Sequence, residues 1–274
     1  MLDLLELLRN PFVLKALVAV LYISLISATI GSLMVYRGES FLLVGSAHAA
    51  MAGAALAMVV WAFLSVSVNP LLMATLFSLI VVMPYIAVRR RRSVQEVESF
   101  LGYLFATLVA LAVLFISMLR EYASQAWGLI VGDIMLLTVE DIVLLTALTA
   151  VALLIVVLFI RELLYVSFDP EGAEMISPHS AVFEVLYGIA VALAVVVLLK
   201  SVGALLIYVM LIAPPTFASR VSKSAYGAMQ ISFVTALAAG VLGIIAGAAL
   251  NLAPSALMAV FVSIPYAVSA VRRR

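Results

Sequence analysis

Apolar stretches of about twenty residues, separated by short polar breaks, recur along the whole chain. A helix needs ~20 mainly apolar residues to cross ~30 Å of hydrocarbon. Stretches of this kind run at roughly 13–36, 41–64, 68–88, 100–118, 141–160, 181–200, 202–219, 226–250 and 255–271. The pattern predicts an all-α, polytopic membrane protein of about nine transmembrane helices. The segment 125–138 (QAWGLIVGDIMLLT) is apolar but short, and Gly128, Gly132 and Asp133 interrupt it. It reads as a re-entrant or interfacial piece sheltered by protein, since irregular backbone exposed to lipid leaves amides unsatisfied. Residues 1–12 (MLDLLELLRNPF) read as an amphipathic helix lying on the membrane surface before the first span.

Composition says what the solvent is. Apolar residues fill 67% of the 274 positions and charged residues 11%, and mean hydropathy is +1.31. A soluble globular chain is nearer ~45–50% apolar with ~25% charged, so most of this chain must face lipid or other spans. The longest polar stretches, 89–99 and 167–180, are too short to fold alone. Residues 1–274 are therefore expected to form one transmembrane domain. The absence of cysteine excludes disulfides and thiolate metal centres. Asp3 and Glu6 stand where a cleaved leader would carry basic residues. No GxxxxGK[ST] phosphate loop occurs, so ATP bound in that manner would sit on another polypeptide.

Lys and Arg set the expected orientation. With Arg89 to Arg92 in the cytoplasm, alternation places Arg37, Arg161, Arg220, Lys223 and Arg272 to Arg274 there too, eleven of the fifteen basic residues. Arg9, Lys15, Arg120 and Lys200 fall near the other face. The expected arrangement is a multi-pass plasma-membrane protein with a cytoplasmic C-terminus and an external N-terminus.

Few residues in the spans are out of place in lipid. Gly45, Ala49, Gly53 and Ala57 recur every fourth position on the second span, a small-residue face that lets helix backbones approach closely. His48 sits beside it. An ionisable residue at membrane depth is a functional candidate, and neutral imidazole is a common metal ligand; the alternative is a histidine bonded to a neighbouring carbonyl. Lys200 either snorkels at the outer interface or forms an ion pair holding the tight turn that follows. Asp133 either caps a short helix or lines an outer vestibule. Pro214 and Pro215 remove consecutive amide donors, marking either a pathway-lining break or a plain helix end. Asp169, Pro170 and Glu171 form a good helix start, so the loop 167–180 should carry one short cytoplasmic helix. His179 there reads as solvent-accessible and incidental.

Several stretches, in this order, resemble the permeases of zinc, manganese and iron ABC importers: GSLMVYRGESFLLVGSAHAAMAGAALA (31–57), GDIMLLTVEDI (132–142), SFDPEGA (167–173), KSVGALLIYVMLIAPPTFASR (200–220) and NLAPSA (251–256). The likeness covers roughly residues 13–270. The resemblance implies an importer of two permease copies, two cytoplasmic ATP-binding cassette ATPases and an external metal-binding protein, embedded in membrane lipid. It implies no permanently bound cofactor and no nucleic-acid partner; the metal is cargo and ATP is the ATPase's. Ser167, Phe168, Asp169, Pro170, Glu171, Gly172 and Ala173 would form the coupling segment on the ATPase, and Gly45, Ala49, Gly53, Pro214 and Pro215 would serve helix packing or the pathway. His48 carries over as a candidate transit ligand. The family's Asp four residues earlier is Val44 here, with Leu43 before it in place of glycine. A lone imidazole coordinates weakly and with little selectivity.

Two other readings compete. The Val44 departure allows a different small substrate for the same kind of importer. An ATPase-independent secondary transporter would place several ionisable groups at the bilayer midplane, and the centres of these spans nearly lack them. An intramembrane enzyme would need paired acids, HExxH or a Ser/His pair at membrane depth, and none is present. The cysteine-free chain makes the topology directly testable. Single cysteines in the 89–92 loop and at the C-terminus should resist an impermeant maleimide added outside intact cells and react once the membrane is opened.

Overall fold

The computed structural model describes residues 10–89, 94–119, 134–169 and 180–271, with positions 128, 132, 172, 173 and 175 between them. Every regular element among these residues is helical. The helices are α1 (Pro11–Tyr36), α2 (Ser40–Leu64), α3 (Pro70–Arg89), α4 (Val94–Met118), α5 (Val139–Leu158), α6 (Ile160–Phe168), α7 (Ser180–Val202), α8 (Ile207–Val221), α9 (Ala225–Leu250) and α10 (Pro254–Val271). Eight are long and apolar enough to cross a membrane, and α8 is a shorter apolar helix. The all-α, polytopic expectation is thus met among the described residues, with α8 shorter than a full span, α4 starting six residues earlier than expected and α8 five later. Alternation gathers Arg37, Arg89, Arg161 and Arg220 at one end of the bundle, the basic end, and Lys15 and Lys200 at the opposite end.

Local chemistry sets the helix limits. The Asn10 side chain accepts from the Phe12 amide at 2.9 Å, and Pro11 opens α1 where no amide partner is needed. Thr138 and Asp141 cap each other's amides at the start of α5, at 3.1 and 3.0 Å. Ser224 caps α9 through the Gly227 amide at 3.1 Å. Ser65 and Asn251 close α2 and α9 in the left-handed conformation.

The core is organised around α7. In its most apolar window 72% of residues are buried, against 17% in α4. It touches α1, α2, α3, α5, α6, α8 and α10. Lipid is as apolar as these side chains, so close packing holds the helices together more than escape from solvent does. At Gly53 the α2 backbone lies so close to α3 that a methyl would stand 2.9 Å from both the Met73 carbonyl carbon and Phe77 Cβ. Gly45 is looser, with only Val81 of α3 near it.

A second joint links α1 to α8. Pro214 and Pro215 lie inside α8, which continues six residues further to Val221; they are not a helix end. Lacking an N–H, Pro215 leaves the Leu211 carbonyl without its usual donor. Ser27 of α1 donates its hydroxyl to that carbonyl at 3.3 Å. Ser27 opens a π-helical turn, Ser27–Gly31, and Gly31 lies against the same carbonyl with no room for a side chain. Such π turns recur at functional sites.

Residues 1–9 lie outside the described residues, as do 125–127, 129–131 and Asp133 of segment 125–138. The described part of that segment covers the opposite end of the bundle. Gly132 (φ +67°) presses its backbone on Val202 and Gly203 (φ +80°), Ile134 and Leu137 are buried, and Lys15 Nζ donates to the Leu137 carbonyl. Since backbone meets side chain at Gly53, Gly53→Val should force α2 from α3. We expect a loss of about 1–3 kcal/mol, read as a lower thermal midpoint in detergent, with Gly45→Ala near neutral.

Candidate functional site

His48 stands on α2, two and a half turns in from the basic end, and is half-buried. Its Nδ1 donates to the Val44 carbonyl at 2.8 Å. That bond fixes the tautomer: a neutral ring then carries its lone pair on Nε2. The ring meets Phe105 of α4 edge to face, with centroids 5.0 Å apart. His48 therefore faces α4, while Gly45 and Gly53 face α3. The reading of His48 as a histidine bonded to a neighbouring carbonyl is the one observed, with Nδ1 spent on Val44. Among the described residues, no three His, Asp or Glu side chains cluster as a metal site.

The basic end holds a feature not anticipated from sequence. Arg37, in the turn between α1 and α2, bonds Glu39 Oε1 through Nε at 3.1 Å and Glu184 Oε2 through Nη2. Arg89, at the end of α3, reaches the same Glu39 oxygen and also donates to the Arg37 carbonyl at 3.3 Å. Tyr187 of α7 donates to Glu39 Oε2 at 2.7 Å, and the Arg37 guanidinium lies 4.3 Å over its ring. The Arg37, Glu39 and Glu184 side chains are at most 9% exposed. Two cations and two anions cancel, which is how such groups can be buried at all. The signal was present: Glu184 is an acid inside an apolar span and needs a basic partner. Sequence could not say that the partner lies 147 residues away.

The predicted coupling loop begins where α6 ends. Ser167 and Phe168 close α6, and Asp169 Oδ1 accepts from the Gly172 amide at 2.9 Å, capping a helical turn that includes Gly172 and Ala173. Pro170, Glu171 and His179 lie outside the described residues. Phe168 stacks on Tyr36 with centroids 5.0 Å apart and, with Met175, is exposed.

At the opposite end Lys200 Nζ pairs with Asp141 Oδ1 at 3.2 Å. The ion-pair reading of Lys200 holds, although the pair ties α7 to α5 and leaves the following turn to Gly203. Lys200 and Asp141 line an open cavity of about 530 Å³ together with Glu140, Asn69 and Trp61.

An apolar bundle with eight helices long enough to cross a membrane, packed around the buried α7, defines a polytopic membrane protein. The chain belongs to the ABC 3 transport family, whose model matches residues 9–273. It is 26% identical over 244 residues to the manganese import system permease protein ScaB of Streptococcus parasanguinis, covering 88% of this chain and 84% of that one. It is 26% identical over 209 residues to the manganese transport system membrane protein MntC of Halalkalibacterium halodurans, covering 76% and 69%. The fold matches that of PsaBC from Streptococcus pneumoniae, solved in complex with Fab, with a TM-score of 0.83, 22% identity and coverage of 96% and 92%. The family resemblance read from the motifs is thereby confirmed.

The Asp169 cap gives a local prediction. Asp169→Ala should cost the turn about 1 kcal/mol, giving about fivefold faster amide exchange at Gly172; Asp169→Asn, which keeps an acceptor, should change it little.

Proposed function

We propose that this chain is the membrane-spanning subunit of an ABC importer for a divalent transition-metal ion, with manganese the first to test. The observation that carries the reading is the family match across residues 9–273 on a chain with no phosphate loop. ATP is then bound and hydrolysed on a separate cytoplasmic ATPase, two copies of this chain enclose the pathway, and an external protein delivers the ion. The basic end faces the cytoplasm of a cell bounded by this plasma membrane. The capped turn at Asp169, with Phe168 and Met175 exposed beside it, supports residues 167–173 as the segment that meets the ATPase.

His48 is the candidate transit ligand. Its Nε2 offers one borderline donor, which suits iron and zinc and leaves a harder manganese ion to draw on carbonyl or water oxygens as well, while Val44 supplies only its backbone carbonyl to the ring. Single-donor binding is weak, and weak binding suits an ion that must leave again. Pro214, Pro215 and the Ser27–Gly31 turn lie in the same bundle and provide helices with broken backbone hydrogen bonding, able to change shape during transport.

The test is uptake of radioactive manganese into vesicles holding the complete importer. His48→Ala should lower uptake at least about tenfold, the scale of one lost metal-supporting contact, while the ATPase still co-purifies. Val44→Asp should tighten manganese binding and slow release. Normal uptake by His48→Ala would remove the ligand assignment, and failure of the wild-type importer to move manganese, iron or zinc would favour another small substrate.

A further inference from the structure

The buried charges at the basic end are placed for more than holding a turn together. The loop 167–180 joins α6 to α7, and both of its flanks grip α1 at consecutive residues. On the α6 side Phe168 stacks on Tyr36. On the α7 side Glu184 binds Arg37. The first contact is an apolar stack at the surface and the second a buried ion pair, and the two meet at the end of α1 and the turn that follows it.

From that point the connections run inward. Arg37 holds Glu39, the residue before α2, and Glu39 also binds Arg89 at the end of α3 and Tyr187 of α7. The ends of α1, α2, α3 and α7 therefore meet in one set of charge-assisted bonds. These bonds are directional and short in reach, unlike apolar contacts, which slide. Among the described residues Arg37 Nη1 has no hydrogen-bond partner, so the guanidinium has a donor to spare when its partners shift. Along α2, His48 is nine residues from Glu39, about 13 Å at the helical rise. Along α1, the Ser27–Gly31 turn lies inward of Arg37 and bears on the proline-broken α8.

We propose that the Arg37–Glu184 pair, with Glu39 and Arg89, is the joint that transmits movement of the 167–173 segment to α1, α2 and α3. The proposal rests on the reading of that segment as the ATPase contact. Glu184 and Arg37 are then positioning residues: they touch neither metal nor ATP, and they set how much helix motion each ATP cycle produces. An anchor that only stabilises the fold would, when weakened, lower the amount of assembled importer without altering how much metal moves per ATP.

The test is made on the complete importer in vesicles, measuring manganese uptake and ATP hydrolysis in the same preparation. Glu184→Gln keeps the side-chain shape and loses the charge. The expected result is an assembled complex that hydrolyses ATP but moves about tenfold less metal per ATP, within the range by which coupling residues act, with Glu184→Asp less affected. Should Glu184→Gln fail to assemble, Tyr187→Phe, which removes only the bond to Glu39 Oε2, decides by the same ratio. An unchanged ratio in an assembled variant overturns the proposal. In parallel, Met175→Cys in the cysteine-free chain is crosslinked to the ATPase. Crosslinking with an unchanged ratio sinks the joint alone, whereas no crosslinking at all sinks the coupling reading and the joint with it.

Discussion

Lipid supplies no hydrogen bonds, so each backbone group in the spans must find its partner within the chain. That constraint explains where the chain is irregular as well as where it is regular. The ten helices among the described residues satisfy most groups by themselves, and the exceptions are met one at a time. Asn10, Thr138 and Ser224 cap helix starts. Lys15 takes the Leu137 carbonyl where the chain turns over the end of the bundle. Ser27 takes the carbonyl that Pro215 releases. The π turn in α1 and the prolines in α8 are thus one feature seen from two helices, since the break in one is covered by the distortion in the other.

The same rule governs charge. Acids and bases at the ends of the bundle occur together: Glu39 and Glu184 with Arg37 and Arg89 at one end, Asp141 with Lys200 at the other. Between these two tiers the described helices carry little that a membrane would reject, and His48 satisfies one ring nitrogen within its own turn. A chain built this way keeps its ion pairs at the two ends of the bundle.

The architecture was largely legible beforehand because span length is a one-dimensional signal: twenty apolar residues are visible without knowing their neighbours. Asp169 as a helix cap was legible for the same reason, since a cap acts within three residues. What depended on neighbours was not. Pro214 and Pro215 read equally as a helix end or a mid-helix break until Ser27 and Gly31 were seen opposite them. The small face of α2 was visible, but that it faces α3 while His48 faces α4 was not. Glu184 was passed over inside an apolar run, although an acid there requires a base, and its base proved to be a residue first read only as a topological marker.

The unequal burial of the spans bears on how this sequence can change over generations. On α4 few positions are fully buried within the chain, so one apolar residue should replace another there with less consequence, and drift should accumulate. On α7 nearly every residue from Ala190 to Leu199 is enclosed, and a change of one methylene must be answered on one of several neighbouring helices. Substitution there is slow and correlated. Two membrane helices of similar hydropathy should thus record ancestry at different rates.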